Sequence, residues 1–342
     1  MWTLALGYVI IYLIINYLGD GMKYYFIVNP MAGKGAHTDE LADNIREACE
    51  KRGIEYEIYM TKAVGDATAF VKDVCSDNSN LPARFYACGG DGTLGEVANG
   101  AAQTEGAAVG VIPVGTGNDF VRNFGNRERF FDVEAQIDGE EYPIDILKCN
   151  DMYAINMINI GFDCEVVKKT VTLKKNPLIP SKLAYIAGVV TTLIKKPGLK
   201  AEVSCDGAEF EPKQYLLTTF ANGEFCGGGF HSNPEAALCD GEIDSLFINN
   251  VSRRVFLSLV GSYKKGTHLV PKNDKILKNY KHKKIELRFP TKQSASIDGE
   301  LFDFDELCIE IVPRGALFVA PMGVTLSEGL AKKIEEPAEA AL

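Results

Sequence analysis

The sequence predicts an α/β half joined to an all-β half. The first is a three-layer α/β/α domain with a mostly parallel sheet, the second a C-terminal antiparallel β-sandwich. Three observations carry this. The 342 residues suffice for two domains at roughly 150 residues each. Residues 22–131 alternate apolar, β-rich runs with helical stretches, which requires crossover connections and so a parallel sheet. From about Glu134 the chain turns to short strands joined by Asp/Gly/Asn turns, the pattern of a sandwich or barrel.

In order, the first strand is Lys23–Asn29 (KYYFIVN), followed by a Gly loop and a helix from about Thr38 to Lys51. Glu55–Met60 is the second strand and Asp66–Cys75 the second helix. Arg84–Cys88, Thr93–Gln103 and Val109–Pro113 continue the alternation as strand, helix and strand. Later strands are expected at Ile144–Cys149, Met152–Ile160, Ala201–Cys205, Gln214–Ala221, Ile243–Asn249, Lys284–Phe289, Ser294–Ile297 and Leu307–Pro313. Helices are expected at about Ser181–Lys195 and Val255–Lys265. The expected limits are 22–146 for the first domain and 147–317 for the second, between an apolar segment at 1–21 and a tail at 331–342.

A net charge of −10 argues against a general nucleic-acid binder, because neutralising phosphates needs a basic surface. The average hides a basic stretch, Tyr263–Arg288, with nine Lys/Arg against Asp274 and Glu286. That stretch reads either as a solvated face or as a surface for anionic lipid headgroups. The nine Cys include no CxxC pair and the four His are scattered, so neither a zinc site nor a disulfide framework is indicated and a reducing cytoplasm fits. The first 18 residues carry no charge and as a helix would span about 27 Å, barely a bilayer crossing. They read as an N-terminal membrane anchor with the body on the cytoplasmic side, or as a misassigned start before Met22.

Three times a buried-looking strand runs into a Gly-rich turn that opens a helix: FIVN-PMAGKG, FYAC-GGDGTLGEV and GVI-PVGTGNDF. Glycine permits close backbone approach and a helix start presents N–H groups, which together suit phosphate. None matches the P-loop or the GxGxxG fingerprint. Three such turns at the carboxyl edge of one sheet point to a nucleotide site.

NPMAGKG, GGDGTLGEV and VIPVGTGNDF, in that order, resemble the catalytic domain of the diacylglycerol kinase family. The match is to its bacterial soluble lipid-kinase branch, related to the sphingosine and ceramide kinases. The resemblance continues through PIDIL, NIGFD, FCGGGFHSNPEAALCDGEID and SIDGE, and covers about Lys23 to Leu326. It implies an ATP- and Mg²⁺-dependent kinase of a lipid hydroxyl, working in the cleft between two domains, with residues 318–330 returning to the first.

Residue by residue, it implies that Asn29, Gly33, Lys34 and Gly35 lie beside the nucleotide. Gly89, Gly90, Asp91, Gly92 and Thr93 would cradle the triphosphate, and Thr61, Gly115, Thr116 and Asn118 would contact ATP. Asp91, Asp119 and Asp145 would form one acidic network for Mg²⁺. Asp240 would hold a structural Mg²⁺ with the carbonyls of Ala237 and Glu242, or be a plain turn. In the IDGE sequence, Glu300 is the favoured base that takes the lipid hydroxyl proton, with Asp298 supporting it or a metal. The implied partner is a lipid at the inner face of the membrane, bound peripherally, and a homodimer is left open. The competing readings are a soluble-acceptor kinase of the NAD-kinase type, which shares GGDGT, and a non-catalytic nucleotide sensor at the membrane.

Overall fold

The computed structural model describes residues 21–35, 38–174, 187–188, 190–192 and 198–325. The apolar segment 1–20, most of the helix expected at Ser181–Lys195 and the tail 331–342 lie outside the described residues.

Strands β1 (Lys23–Val28), β2 (Tyr56–Met60), β3 (Ala83–Gly89) and β4 (Ala107–Pro113) form a parallel block in the order β2-β1-β3-β4. In β1, β3 and β4 residues on both faces are buried, as in Phe26, Ile27, Phe85 and Tyr86, which suits strands covered by crossover helices, while β2 at the edge of the block is half-buried to exposed. Helix α1 (Thr38–Arg52) buries Leu41, Ile45, Ala48 and Cys49, a stripe at helical spacing, against Phe26, Val28 and Tyr86. The opposite face, with Tyr25, Ile27 and Phe85, receives Val71 of α2 (Asp66–Ser76) and Val97 of α3 (Asp91–Ala101). Gly100 is what lets α3 meet α2, since a Cβ there would stand 2.5 Å from Val71 Cβ.

Beyond the short helix α4 (Val133–Ile137) the strands are β5 (Glu140–Cys149), β6 (Met152–Ala154), β7 (Met157–Gly161), β8 (Leu199–Cys205) and β9 (Ala208–Ala221). A small hairpin, β10 (Phe225–Cys226) and β11 (Phe230–His231), precedes β12 (Ile243–Asn249), β13 (Leu277–His282), β14 (Lys284–Ile297) and β15 (Glu300–Ala320). Helix α5 (Phe162–Lys174) follows β7, and α6 (Arg253–Lys264), whose first turn is capped by Ser252, precedes β13. A second core, from Leu147, Ile158, Ile160, Val203, Phe220, Phe247, Leu287 and Ile309, lies among these strands.

The two halves share one sheet. Among the described residues it has 13 strands, and its main path is β13-β12-β9-β7-β14-β15-β4-β3-β1-β2. The link is β15, which pairs with β14 along its first part and reaches β4 in parallel at Leu317 and Phe318. Parallel pairing is therefore confined to the β1–β4 block and this short ladder, and the other described ladders are antiparallel. The expected boundary at 146/147 falls inside β5, which is continuous and antiparallel to β15 from Glu140 to Cys149. Past β15, Met322 N donates to Ala135 O and Gly125 bridges Thr325, so the described end of the chain rests on the first half. No described helix is long and apolar enough to cross a membrane.

Candidate active site

The three glycine turns close on one another at the ends of β1, β3 and β4. A Cβ on Gly115 would stand 2.4 Å from Gly90 Cα, so those two turns touch backbone to backbone. Gly33, at φ +57°, would place a Cβ 2.7 Å from Val114 O, so glycine is required there on both counts. Gly115 N donates to Gly89 O at 3.1 Å, and Asn29 Nδ2 donates to Thr93 Oγ1 at 3.2 Å. Asn118, at φ +51°, turns its amide back to donate to the carbonyls of Pro113 and Gly115. The first turn of α3, whose N–H groups have no partner within the helix, begins at this junction, as an anion site needs. Asn29, Gly33, Gly89, Gly90, Asp91, Gly92, Thr93, Gly115 and Asn118 thus come together. Lys34 and Gly35 lie in the 3₁₀ turn Ala32–Gly35. Thr61 follows β2 and donates its N–H to Val28 O at 2.9 Å, while Thr116 is exposed at the tip of the third turn.

Asp91 and Asp119 form a carboxylate pair. Asp91 Oδ1 accepts from the N–H of Asp119 at 2.7 Å and of Phe120 at 3.4 Å. Its Oδ2 lies against Gly117, where a Cβ would approach within 2.6 Å. Burial, and then the charge of Asp119, push the Asp91 carboxyl above its ordinary range. Asp119 Oδ1 accepts from Arg122 Nε at 3.1 Å, and its Oδ2 from Gly228 N at 2.8 Å, which ties the FCGGGF hairpin to the site. The Asp91 carboxylate, with Oδ2 facing the glycine turn at Gly117, is an oxygen donor of the kind that suits a hard cation such as Mg²⁺.

Asp145, expected in the same network, has different partners. Its Oδ2 accepts from Gly241 N at 2.6 Å and its Oδ1 from Arg314 N at 2.8 Å, in the bulge where the β5–β15 register shifts. It anchors a loop and a strand. Among the described residues no three Asp, Glu, His or Cys side chains gather closely enough to hold a metal ion.

The IDGE sequence is the β14–β15 hairpin. The register pairs Ile297 with Glu300, leaving Asp298 and Gly299 as a two-residue turn with φ of +46° and +93°, the type I′ pattern. Asp298 is buried, and all its bonds go to backbone: Oδ2 to Ile155 N at 2.8 Å, Oδ1 to Asn156 N at 3.0 Å and Met157 N at 2.9 Å. Burial pushes its carboxyl up to about 7, against the pull of those three donors. Glu300 points elsewhere. Its Oε1 would be 3.0 Å from a Cβ on Gly92, and Asp298 Cβ 3.2 Å from one on Gly95, so the turn seats on the glycine face of α3. Burial, and then the charge of Glu96, raise the Glu300 carboxyl.

At the other expected metal position, Asp240 Oδ1 accepts from Glu242 N at 3.1 Å and Oδ2 from Lys281 Nζ at 3.1 Å. Half-buried Ala237 lies in the same loop. A lysine already neutralises Asp240, so these residues do not fit a divalent ion.

Several residues here escaped sequence reasoning. Arg122 and Gly228 bracket Asp119 from positions 109 residues apart for the latter, and only the GGG run hinted at a backbone contact. Glu96 accepts from Gly65 N and Ala67 N, capping α2 from across the fold. Glu224 Oε2 lies 2.6 Å from His231 Nε2, with the His231 ring stacked on Phe225. Asp163, in the NIGFD motif, opens α5 near Cys226 and Tyr263, and burial pushes it up to about 6.

Residues 23–149 match the diacylglycerol kinase catalytic domain, and 156–320 the YegS C-terminal NAD kinase β-sandwich-like domain. The chain is 30% identical over 286 residues to a diacylglycerol kinase of Bacillus subtilis (strain 168), covering 80% of this chain and 88% of the relative. It is also 30% identical over 284 residues to a diacylglycerol kinase of Staphylococcus aureus (strain bovine RF122 / ET3-1), covering 80% and 84%. A crystal structure of a diacylglycerol kinase from Bacillus anthracis strain Sterne shares the fold, with a TM-score of 0.65 at 22% identity, covering 88% of this chain and 97% of that one. The chain belongs to the diacylglycerol kinase family, in its bacterial lipid-kinase branch, and membership of a kinase family implies the use of ATP.

Proposed function

We propose that this protein transfers the γ-phosphoryl group of ATP to the hydroxyl of a diacylglycerol-like lipid, with Glu300 as the base. The observation that carries the reading is the seat of the Glu300 carboxylate against Gly92, in the first turn of the helix that the GGDGT turn opens. An acid at that position stands where a hydroxyl approaching a phosphate held by the turn would release its proton. The raised affinity of Glu300 for protons makes it a better base than an exposed glutamate. Asp298 has both oxygens engaged by backbone and serves to hold the hairpin. The glycine turns would bind the phosphates of ATP, and Asp91 would hold its Mg²⁺, with Asp119 fixed beside it by Arg122 and Gly228; the ion would neutralise charge between the terminal phosphates. Relatives named diacylglycerol kinase support the acceptor.

The lipid is met at a membrane surface on this reading. Lys264, Lys265, Lys272, Lys275 and Lys278 are exposed, and Leu257 of α6 is exposed beside them in sequence. Each Lys near an anionic surface contributes on the order of 1 kcal/mol.

The test is ³²P transfer from γ-labelled ATP with Mg²⁺ to a panel of lipid alcohols in mixed micelles. Label in a lipid with wild type, absent with Glu300→Gln and with Asp91→Asn, is the expected result. Measurable ATP binding with no labelled lipid, or detergent-free phosphorylation of NAD, would overturn the reading in favour of a sensor or a soluble-acceptor kinase.

A further inference from the structure

The loop that follows the FCGGGF hairpin is held by a cation of its own. Lys281 sits directly opposite Asp244 in the β12–β13 ladder, so its position is set by strand register and not by a loose side chain. From there its Nζ donates to Glu235 O at 2.7 Å and to Asp240 Oδ2 at 3.1 Å, and lies 3.6 Å from Asp244 Oδ2. Two carboxylates and a main-chain carbonyl are the donor set a divalent ion would choose. Neither carboxylate is well solvated: the Asp240 side chain is 10% exposed and that of Asp244 fully buried. The remaining oxygens are also occupied. Glu242 N donates to Asp240 Oδ1, Asn233 to Asp244 Oδ1, and Asn279 to Asp244 Oδ2.

We propose that the Lys281 ammonium is the resident cation of this loop, on the Asp240 carboxylate to which the resemblance assigns a structural Mg²⁺. The loop matters to the site because Asp145 grips it twice, accepting from Gly241 N through its side chain and donating its own N–H to Leu238 O. A built-in ammonium keeps that loop formed whatever the free metal concentration. The chain then needs Mg²⁺ with its nucleotide and not for its architecture. This inference requires neither ATP nor a lipid acceptor, so it stands or falls apart from the activity proposed above.

The test uses the full chain free of nucleotide, melted in EDTA and in millimolar MgCl₂, with Mn²⁺ binding followed by electron paramagnetic resonance. Wild type is expected to melt at the same temperature in both and to bind no Mn²⁺ at this loop, that is, no more than Asp240→Asn binds. Lys281→Ala, which strands two carboxylates, is expected to melt lower in EDTA, to regain part of the loss in MgCl₂ and to bind one Mn²⁺. A wild-type melting temperature that rises in MgCl₂, with the rise lost in Asp240→Asn, would overturn the proposal. So would a Lys281→Ala protein that melts like wild type in EDTA, or one that melts lower yet binds no Mn²⁺. Should the alanine variant not fold, Lys281→Gln keeps the stem without the charge, and the wild-type arm decides by itself.

Discussion

Glu300 Oε1 stands where a methyl group on Gly92 would be 3.0 Å away, so the helix that opens the site and the hairpin acid share van der Waals contact. Gly92→Ala should therefore displace the carboxylate while leaving the helix intact. Gly92 is the second residue of α3, and alanine favours a helix by roughly 1 kcal/mol over glycine. Misplacing a catalytic group by ~1 Å can lower the rate by ~10²-fold. The expected outcome is a kcat at least about tenfold lower with an unchanged or slightly higher melting temperature. A variant as fast as wild type would separate Glu300 from the chemistry.

Glu300→Gln should lower kcat by about 10²–10⁴-fold, the range for loss of a general base, with ATP affinity unchanged. A base works deprotonated, and burial raises the proton affinity of Glu300. The acid limb of kcat/KM against pH should therefore lie above the ~4.3 of an ordinary glutamate. Mutating Glu96→Gln removes the second cause of that rise and should move the limb back toward lower pH.

Asp298→Asn should act on stability first. Both residues suit the φ of +46° in a type I′ turn, so the backbone is not strained by the change. An asparagine amide cannot accept from the N–H groups on both sides of the carboxylate, and a buried donor left unpaired costs roughly 1–3 kcal/mol. A lower denaturation midpoint, with the residual activity following the folded fraction, is expected. A midpoint equal to that of wild type would mean the three short contacts are not maintained in solution.

Asp163 gives a pH dependence with a definite sign. Its carboxyl is held up to about 6 in the fold, against an ordinary value near ~3.9 in the unfolded chain. The folded state thus holds the proton more tightly. The stability this provides is complete below about 4 and is lost as pH rises through about 6. Asp163→Asn, permanently neutral, should melt like wild type near pH 4, and the gap in its favour should widen up to pH ~7 and then level off. Melting curves across that range test it, and a gap that does not change with pH would count against the burial.

Much of the first half could be read directly. Strand, glycine turn and helix are contiguous in sequence, so the three phosphate turns and their order along one sheet edge are local properties. The close approach of Gly115 to Gly90 follows from the same pattern. What could not be read depends on pairing across long separations. Asp145, the Asp of PIDIL, looks like a metal ligand, and only the fold shows its oxygens accepting from Gly241 and Arg314, 96 and 169 residues away. Lys281 is one of nine basic residues in its stretch, and its role comes from facing Asp244 in a ladder that sequence alone does not register. In IDGE the resemblance favours Glu300 over Asp298 as the base, but the sequence does not show how their surroundings differ. The hairpin geometry sends one inward to three amides and the other toward α3.

The length of β15 has a consequence for how this chain can be divided. One strand of 21 residues begins at Glu300 beside the site and ends in the parallel block, so the last described strand completes the first half. A fragment cut in the link between the two matched regions would leave the edge of β4 bare, with Phe120, Phe124 and Phe130 uncovered where Phe318 packs on them. Such a piece would invite intermolecular strand pairing and aggregate. The halves are thus not interchangeable modules, and trimming the chain from its C-terminal side into β15 should unfold the nucleotide-binding end as readily as the sandwich.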